Sequence, residues 1–265
     1  DINGNLTMSG GLLGASCLEL NGSSEYAESA SFADDRNTAN NGDYTIECWF
    51  KKTTSLSASA YIFDLNTGSN NLNRSYLKVQ SSNGGLAWVT YTGGGTQHTN
   101  AVTSTTALHD NKWHHIACVF IGTGDATYSS GAKLIYLDGK LDALVEGSSP
   151  AMAYDQGTSM TLTLGRDASD DNEWYGGCID EVRMWSDVRT EAEIRTNMFS
   201  EVAVDSANLR HQWSCNEGTS TAIEDTATST TGEAHLEVDL TLSDAGGWAA
   251  APTFDSESEG TGVFS

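Results

Sequence analysis

The chain has 265 residues, of which 13 are basic and 36 acidic, for a net charge of −23. A surface this negative repels phosphate backbones and anionic headgroups, which excludes nucleic acid as a partner and adsorption to an acidic membrane, and leaves multivalent cations as reasonable partners. No run of about 18 apolar residues marks a membrane-inserted helix, and the length suits one all-β domain of roughly 200–250 residues.

Residues 1–14 are Gly-rich and read as a peripheral arm or linker. The opening Asp1-Ile2-Asn3-Gly4-Asn5 has neither an initiator Met nor a signal-peptide pattern, which suggests a chain that begins after processing or inside a longer polypeptide. From there, short runs rich in β-branched and aromatic residues alternate with Gly, Asn, Asp and Ser clusters, the pattern of antiparallel strands and turns. Residues 17–20 lead to a turn at Asn21-Gly22, and 44–52 alternate apolar and polar. Strands follow at 61–63, 75–79, 86–91 and 114–120. Residues 133–137 and 140–145 flank Asp138-Gly139, the dipeptide of a type I′ hairpin. Residues 161–164 precede a polar loop from Gly165 to Asn172, and 178–185 form the next strand.

One helix is predicted. Thr190 stands at its cap, with Glu193 three residues on, the spacing of a capping box, and the helix runs to about Met198. A strand at 209–213 follows, and 243–265, rich in Ser, Gly and acidic residues, reads as a C-terminal arm or linker. The sequence therefore predicts an all-β, two-sheet antiparallel sandwich over 15–242 with one short helix. Hydrophobic residues make up 38% of the chain, and 7 Trp, 9 Tyr and 7 Phe supply much of the core area.

Cys17, Cys48, Cys118, Cys178 and Cys215 are odd in number, and several replace apolar residues within strands, so they read mostly as free core thiols. His114 and His115 are adjacent in a strand, face opposite ways and cannot chelate one ion together. Asp180 and Glu181 are separated by the same argument.

The order of motifs resembles the laminin-G-like and pentraxin-like jelly rolls of the concanavalin A-like group. The resemblance rests on Trp113-His114-His115-Ile116-Ala117, on Tyr136-Leu137-Asp138-Gly139-Lys140, and above all on Gly176-Gly177-Cys178-Ile179-Asp180-Glu181-Val182-Arg183-Met184-Trp185 followed by Glu193-Ile194. It spans about residues 15–200, and Trp213-Ser214-Cys215-Asn216-Glu217-Gly218 resembles a further strand that either completes this sandwich or opens a neighbouring one. The resemblance implies one concave and one convex sheet and a role in binding or adhesion.

Related hydrolases need two carboxylates across the scissile bond. In the laminarinase-like ones these stand as Glu-x-Asp-x-x-Glu. Glu237-Val238-Asp239 ends in Leu242 and breaks that pattern, so the chain is expected not to be an enzyme.

Calcium (Ca2+) is the cofactor that likeness to pentraxins implies, held between two loops: Asp167, Asp170 and Asp171 from one, Asn71 and Asn73 from the other. Carboxylate and amide oxygens are suitable ligands for this hard cation. Trp174, Tyr175 and Tyr91 are the aromatic residues expected to touch a ligand beside that rim. The expected function is a carbohydrate-recognition or adhesion module, aided by calcium, that engages a glycan or cell-surface ligand from an extracellular, cell-surface or virion-surface position. Residues 1–10 resemble linkers of phage fibre proteins, which raises the alternative of a viral or surface-layer building block whose arms lace it to other subunits of a larger assembly.

Overall fold

A computed structural model of the chain describes residues 14–33, 42–52, 58–67, 74–91, 97–103, 107–122, 127–128, 131–147, 159–169, 172–228, 239–243 and 248–250. In chain order the elements begin with β1 (Ser16–Asn21), β2 (Ala27–Ser29), β3 (Phe32–Ala33), β4 (Tyr44–Lys52), β5 (Ala60–Asn66) and β6 (Ser75–Val79). They continue with β7 (Leu86–Tyr91), β8 (Gln97–Thr103), β9 (Trp113–Ile121), β10 (Ala132–Leu137), β11 (Lys140–Glu146) and β12 (Ser159–Leu164). β13 (Gly176–Trp185), α1 (Glu191–Asn197), β14 (Leu209–Trp213), β15 (Ala222–Ile223), β16 (Leu240–Leu242) and β17 (Trp248–Ala250) complete the set.

Among the described residues the strands form two antiparallel sheets. The first runs β11-β10-β9-β4-β13-β1-β17, with β14 beside β13; the second runs β15-β16-β2-β12-β5-β6-β7-β8, with β3 beside β12. This is the predicted sandwich. β14 pairs with β13, so the Trp213 strand completes this domain rather than opening another. Trp248–Ala250 falls in the segment read as an arm, yet it pairs with β1, and that part of the reading is corrected: Trp248 packs against the core and its Nε1 donates to the Ser220 carbonyl at 3.0 Å.

The core lies between the sheets. Ile46, Cys48 and Phe50 of β4, Ile116, Cys118 and Phe120 of β9, and Ile179, Val182 and Met184 of β13 face Ile62, Leu65, Leu77, Trp88 and Leu162 of the second sheet. Trp88 is fully buried, and Ser75 Oγ accepts hydrogen bonds from its Nε1 and from the Tyr44 hydroxyl, each at 3.0 Å. The outer face of the first sheet is covered as well. Ile194 of α1 packs on Ala117, Val119 and Tyr136, and Met198 and Phe199 pack with Trp49 and Trp113. That cover explains why β9 reads as an almost unbroken apolar run instead of an alternating one.

The predicted local signals are realised. Asp138 and Gly139 both have positive φ, 49° and 73°, as a type I′ turn requires. Thr190 Oγ1 accepts from Glu193 N while Thr190 N donates to Glu193 Oε2, a closed capping box. None of the five cysteines is in a disulfide; Cys178 is partly exposed and the others are buried. The simple alternation argument fails at Asp180-Glu181: a bulge lies between Asp180 and Arg183, with Glu181 at φ 48°. Both carboxylates are buried there, and Glu181 pairs with Arg183 at 2.6 Å.

Candidate functional site

The outer face of the second sheet carries a different set of side chains. Period-2 alternation sends Leu77 and Val79 inward and Tyr76 and Lys78 outward along β6. The register then aligns outward residues from neighbouring strands. Glu28 of β2 faces Thr163 of β12, Thr163 faces Asp64 of β5, Asp64 faces Tyr76, and Tyr76 faces Val89 of β7. Tyr61 faces Lys78 one step along.

Arg74, immediately before β6, joins the two loops at one end of this face. Its Nε and Nη2 donate to Asp64 Oδ1 and Oδ2 at 2.9 and 2.7 Å, a bidentate fork. Nη2 also donates to Asp167 Oδ1 at 2.6 Å, and Nη1 donates to Ser169 Oγ at 3.0 Å. Asp167 Oδ1 accepts further bonds from Ser169 N and Oγ, and Asp64 Oδ2 accepts from Ala168 N. Burial pushes the Asp64 carboxyl up, and Arg74 opposes it. At Asp167, burial is outweighed by the Ser169 hydrogen bonds and Arg74, so that carboxyl sits below its ordinary value. The Arg74 guanidinium, itself buried, is held protonated by Asp64 and Asp167.

A row of tyrosines adjoins Arg74. Tyr61 and Tyr76 have ring centroids 4.8 Å apart, and Tyr91 lies 6.3 Å beyond Tyr76. Arg74 sits 4.6 Å from the Tyr76 ring centroid, and Lys78 Nζ sits 5.0 Å from that of Tyr61, within cation–π range. Lys78 also pairs with Glu173 at 2.9 Å. Burial raises the Tyr61 and Tyr76 phenols, which stay protonated as hydrogen-bonding groups. On the neighbouring edge, Trp174 lies 6.1 Å from Tyr26, Arg166 stacks 3.8 Å over Tyr26, and Arg166 pairs with Glu28 at 3.1 Å.

The structure places Asp64 of β5 and Arg74, just before β6, beside Asp167 and Ser169 after β12, and the group between Asp64 and Asp167 is an arginine. Asp170, Asp171, Asn71 and Asn73 lie outside the described residues. Among the described residues no three His, Cys, Asp or Glu side chains converge as a metal site. Tyr91 and Trp174 are partly exposed. Tyr175 is corrected: it has no exposed surface, and its hydroxyl donates to the Cys178 carbonyl at 3.3 Å, so it belongs to the core.

Arg74, Tyr61, Tyr76, Lys78, Glu173, Tyr26 and Arg166 were not singled out from the sequence. The available signal was the alternation Arg74-Ser75-Tyr76-Leu77-Lys78, which puts two cations and an aromatic ring on one face.

A family model described as the concanavalin A-like lectin/glucanases superfamily matches residues 21–195. No curated protein sequence matches. Among solved structures, a Bacteroides ovatus protein proposed to bind carbohydrate aligns with TM-score 0.60 and 16% identity. The alignment covers 90% of this chain and 60% of that one, so the chain spans less than two thirds of that protein's length. A heptameric SAP-like pentraxin from Limulus polyphemus aligns with TM-score 0.49 and 12% identity over 91% and 95% of the two chains. The CBM40 of a Ruminococcus gnavus IT-sialidase aligns with TM-score 0.48 and 16% identity over 70% and 97%.

Proposed function

The chain belongs to the concanavalin A-like lectin/glucanase superfamily, and from that premise we propose that it is a non-catalytic carbohydrate-binding module. Its contact surface is the outer face of the second sheet, presented by Lys78, Tyr91 and Glu173 over the buried Tyr61 and Tyr76, with Trp174 on its edge. The carrying observation is the row Tyr61-Tyr76-Tyr91 across three adjacent strands beside Lys78 and Glu173. Sugar rings present C–H faces that stack on aromatic rings and hydroxyls that pair with fixed charged groups, and a pre-ordered face of this kind binds at low entropic cost. The carbohydrate assignment of the Bacteroides ovatus neighbour supports the same ligand class.

Two features narrow the ligand. Glu28, Asp64, Asp167 and Glu173 are each ion-paired with Arg166, Arg74 or Lys78. Carboxylates held this way are poorly placed for proton transfer, which supports binding over hydrolysis. The same pairing leaves the named cations already neutralised, and with a net charge of −23 this favours a neutral glycan over an acidic one. A cell-surface or polymeric glycan is the partner, met at an extracellular, cell-surface or virion-surface location.

We infer that no calcium ion lies between Asp64 and Asp167. A calcium ion between Asp64 and Asp167 would sit against a buried guanidinium that already takes up three of their four oxygens. A glycan array probed with and without chelator tests the reading. It predicts selective binding to neutral oligosaccharides that chelation leaves unchanged. A flat array removes the proposal, and loss of binding on chelation shows that a metal is part of the site.

A further inference from the structure

Cys17 of β1 and Cys178 of β13 form a second chemical site, on the outer face of the opposite sheet. Cys178 stands opposite Glu19 in the β1–β13 register, so Cys17, two residues earlier on the same face, is its diagonal neighbour. The two thiols share a hydrogen bond and pack in one cluster with Trp49, Trp113 and Met198.

Their environments differ. Cys17 is fully buried, whereas Cys178 is partly exposed and lines a cavity of about 500 Å3 walled by Glu19, Lys51, Asn111, Trp113 and Ala249. Gly176 and Gly177, just before Cys178, have no side chains to obstruct the approach. Gly177 sits at φ 147°, and any Cβ there would run into the Lys51 carbonyl oxygen. Lys51 faces Cys178 across the β4–β13 ladder.

The hydrogen bond from Cys17, assisted by the Lys51 ammonium, holds the Cys178 thiol below its ordinary value against burial and the Glu19 carboxylate. The same bond and burial push Cys17 up. The pair therefore contains a reachable thiol whose ionisation is favoured and a buried partner thiol beside it, the arrangement of an attacking and a resolving cysteine. Cys48, Cys118 and Cys215 are buried, and burial raises all three.

We propose that Cys178 and Cys17 are a thiol–disulfide exchange site for a small-molecule disulfide admitted by the cavity. The Cys178 thiolate attacks one sulfur of R–S–S–R, a Cys178–S–R bond forms, and R–S⁻ leaves. Cys17 gives up its proton and attacks the Cys178 sulfur, forming the Cys17–Cys178 bond and releasing the second R–S⁻. The two cysteines lose two electrons and two protons, and the small disulfide gains them as two R–SH.

Glutathione disulfide is a suitable probe. Fully reduced protein is incubated with it, the remaining thiols are alkylated after unfolding, and the products are read by intact mass and peptide mapping. Wild type is expected to lose two of its five thiols, with the Cys17 and Cys178 peptides recovered cross-linked. Cys17→Ala is expected to stop at the glutathione adduct on Cys178, and Cys178→Ala to leave Cys17 unmodified. The wild-type map alone is decisive if a variant fails to fold. A wild type that retains all five thiols, or stops at the adduct without the cross-link, overturns the proposal.

Discussion

Arg74 shows how one side chain sets the geometry of a site. It is 4% exposed and makes four hydrogen bonds to Asp64, Asp167 and Ser169. Arg74→Ala would leave two carboxylates without their cation in a buried setting, at a cost of about 3–5 kcal/mol. Arg74→Lys keeps the charge but loses the fork, so its midpoint in urea should fall between those of wild type and Arg74→Ala. Equal midpoints for all three proteins would contradict the role. His115 sets an acid limit on the fold. Burial, then the Arg183 charge, push its imidazole down to about 3, with the Asp138 carboxylate opposing them. The unfolded chain takes up a proton near the ordinary value of 6.5 that the folded chain refuses until about 3. Stability present above the unfolded value is therefore lost as pH falls through that window, at about 1.4 kcal/mol per pH unit. Thermal melts from neutral to mildly acidic pH should show the midpoint falling, with a shallower fall in His115→Gln. Identical slopes would remove His115 as the cause. Neither role was legible in the sequence, where a lone Arg before a strand and a strand His carry no sign of what they meet across the fold.

The elements were far more legible than their contacts. Tyr44–Lys52, Ser75–Val79, Leu86–Tyr91 and Leu209–Trp213 match the predicted strands residue for residue, because alternation, or a compact apolar run bounded by turn residues, is a local property. The Asp138-Gly139 turn and the Thr190 cap were legible for the same reason. The short strands β2, β3, β15, β16 and β17 were missed; they have two or three residues each, too few to display a period. The bulge at Glu181 was also missed, since a run such as Cys178 to Trp185 does not announce where its alternation slips. Two predictions belong at this scale. Thr190→Ala opens the capping box and should lower stability by about 1 kcal/mol, measurable as a small drop in the thermal midpoint. Gly139→Ala must adopt φ 73° and crowd Arg195 Cγ and Met198 Sδ of the α1 region, so it should cost more than the cap. A Gly139→Ala protein as stable as wild type would show that the hairpin and helix can slide apart freely.

At the scale of the whole molecule, the two sheets divide the work. The first is covered on both faces, inside by the core and outside by α1 and the Met198–Phe199 segment. The second carries on its outer face the buried Tyr61 and Tyr76, the partly exposed Tyr91 and paired charges. The family and sandwich architecture could be read from the motif order, since strand and turn signals recur along the chain. The site was legible only in outline. Tyr91, Trp174 and the acidic loop after β12 could be named as candidates from residue type and place in the chain, whereas the cross-strand alignment of Tyr61, Tyr76 and Lys78 depends on register between segments that the sequence does not relate. The central claim, that this outer face binds glycan, is tested most directly by calorimetric titration of the best array ligand into wild type, Tyr91→Ala and Lys78→Ala. Leu141→Ala, an exposed position on β11 of the other sheet, serves as the control. Loss of one stacked ring or one hydrogen-bonded charge should weaken binding about tenfold or more, with the control at wild-type affinity. Wild-type affinity in Tyr91→Ala and Lys78→Ala alike would place the ligand elsewhere and contradict the account.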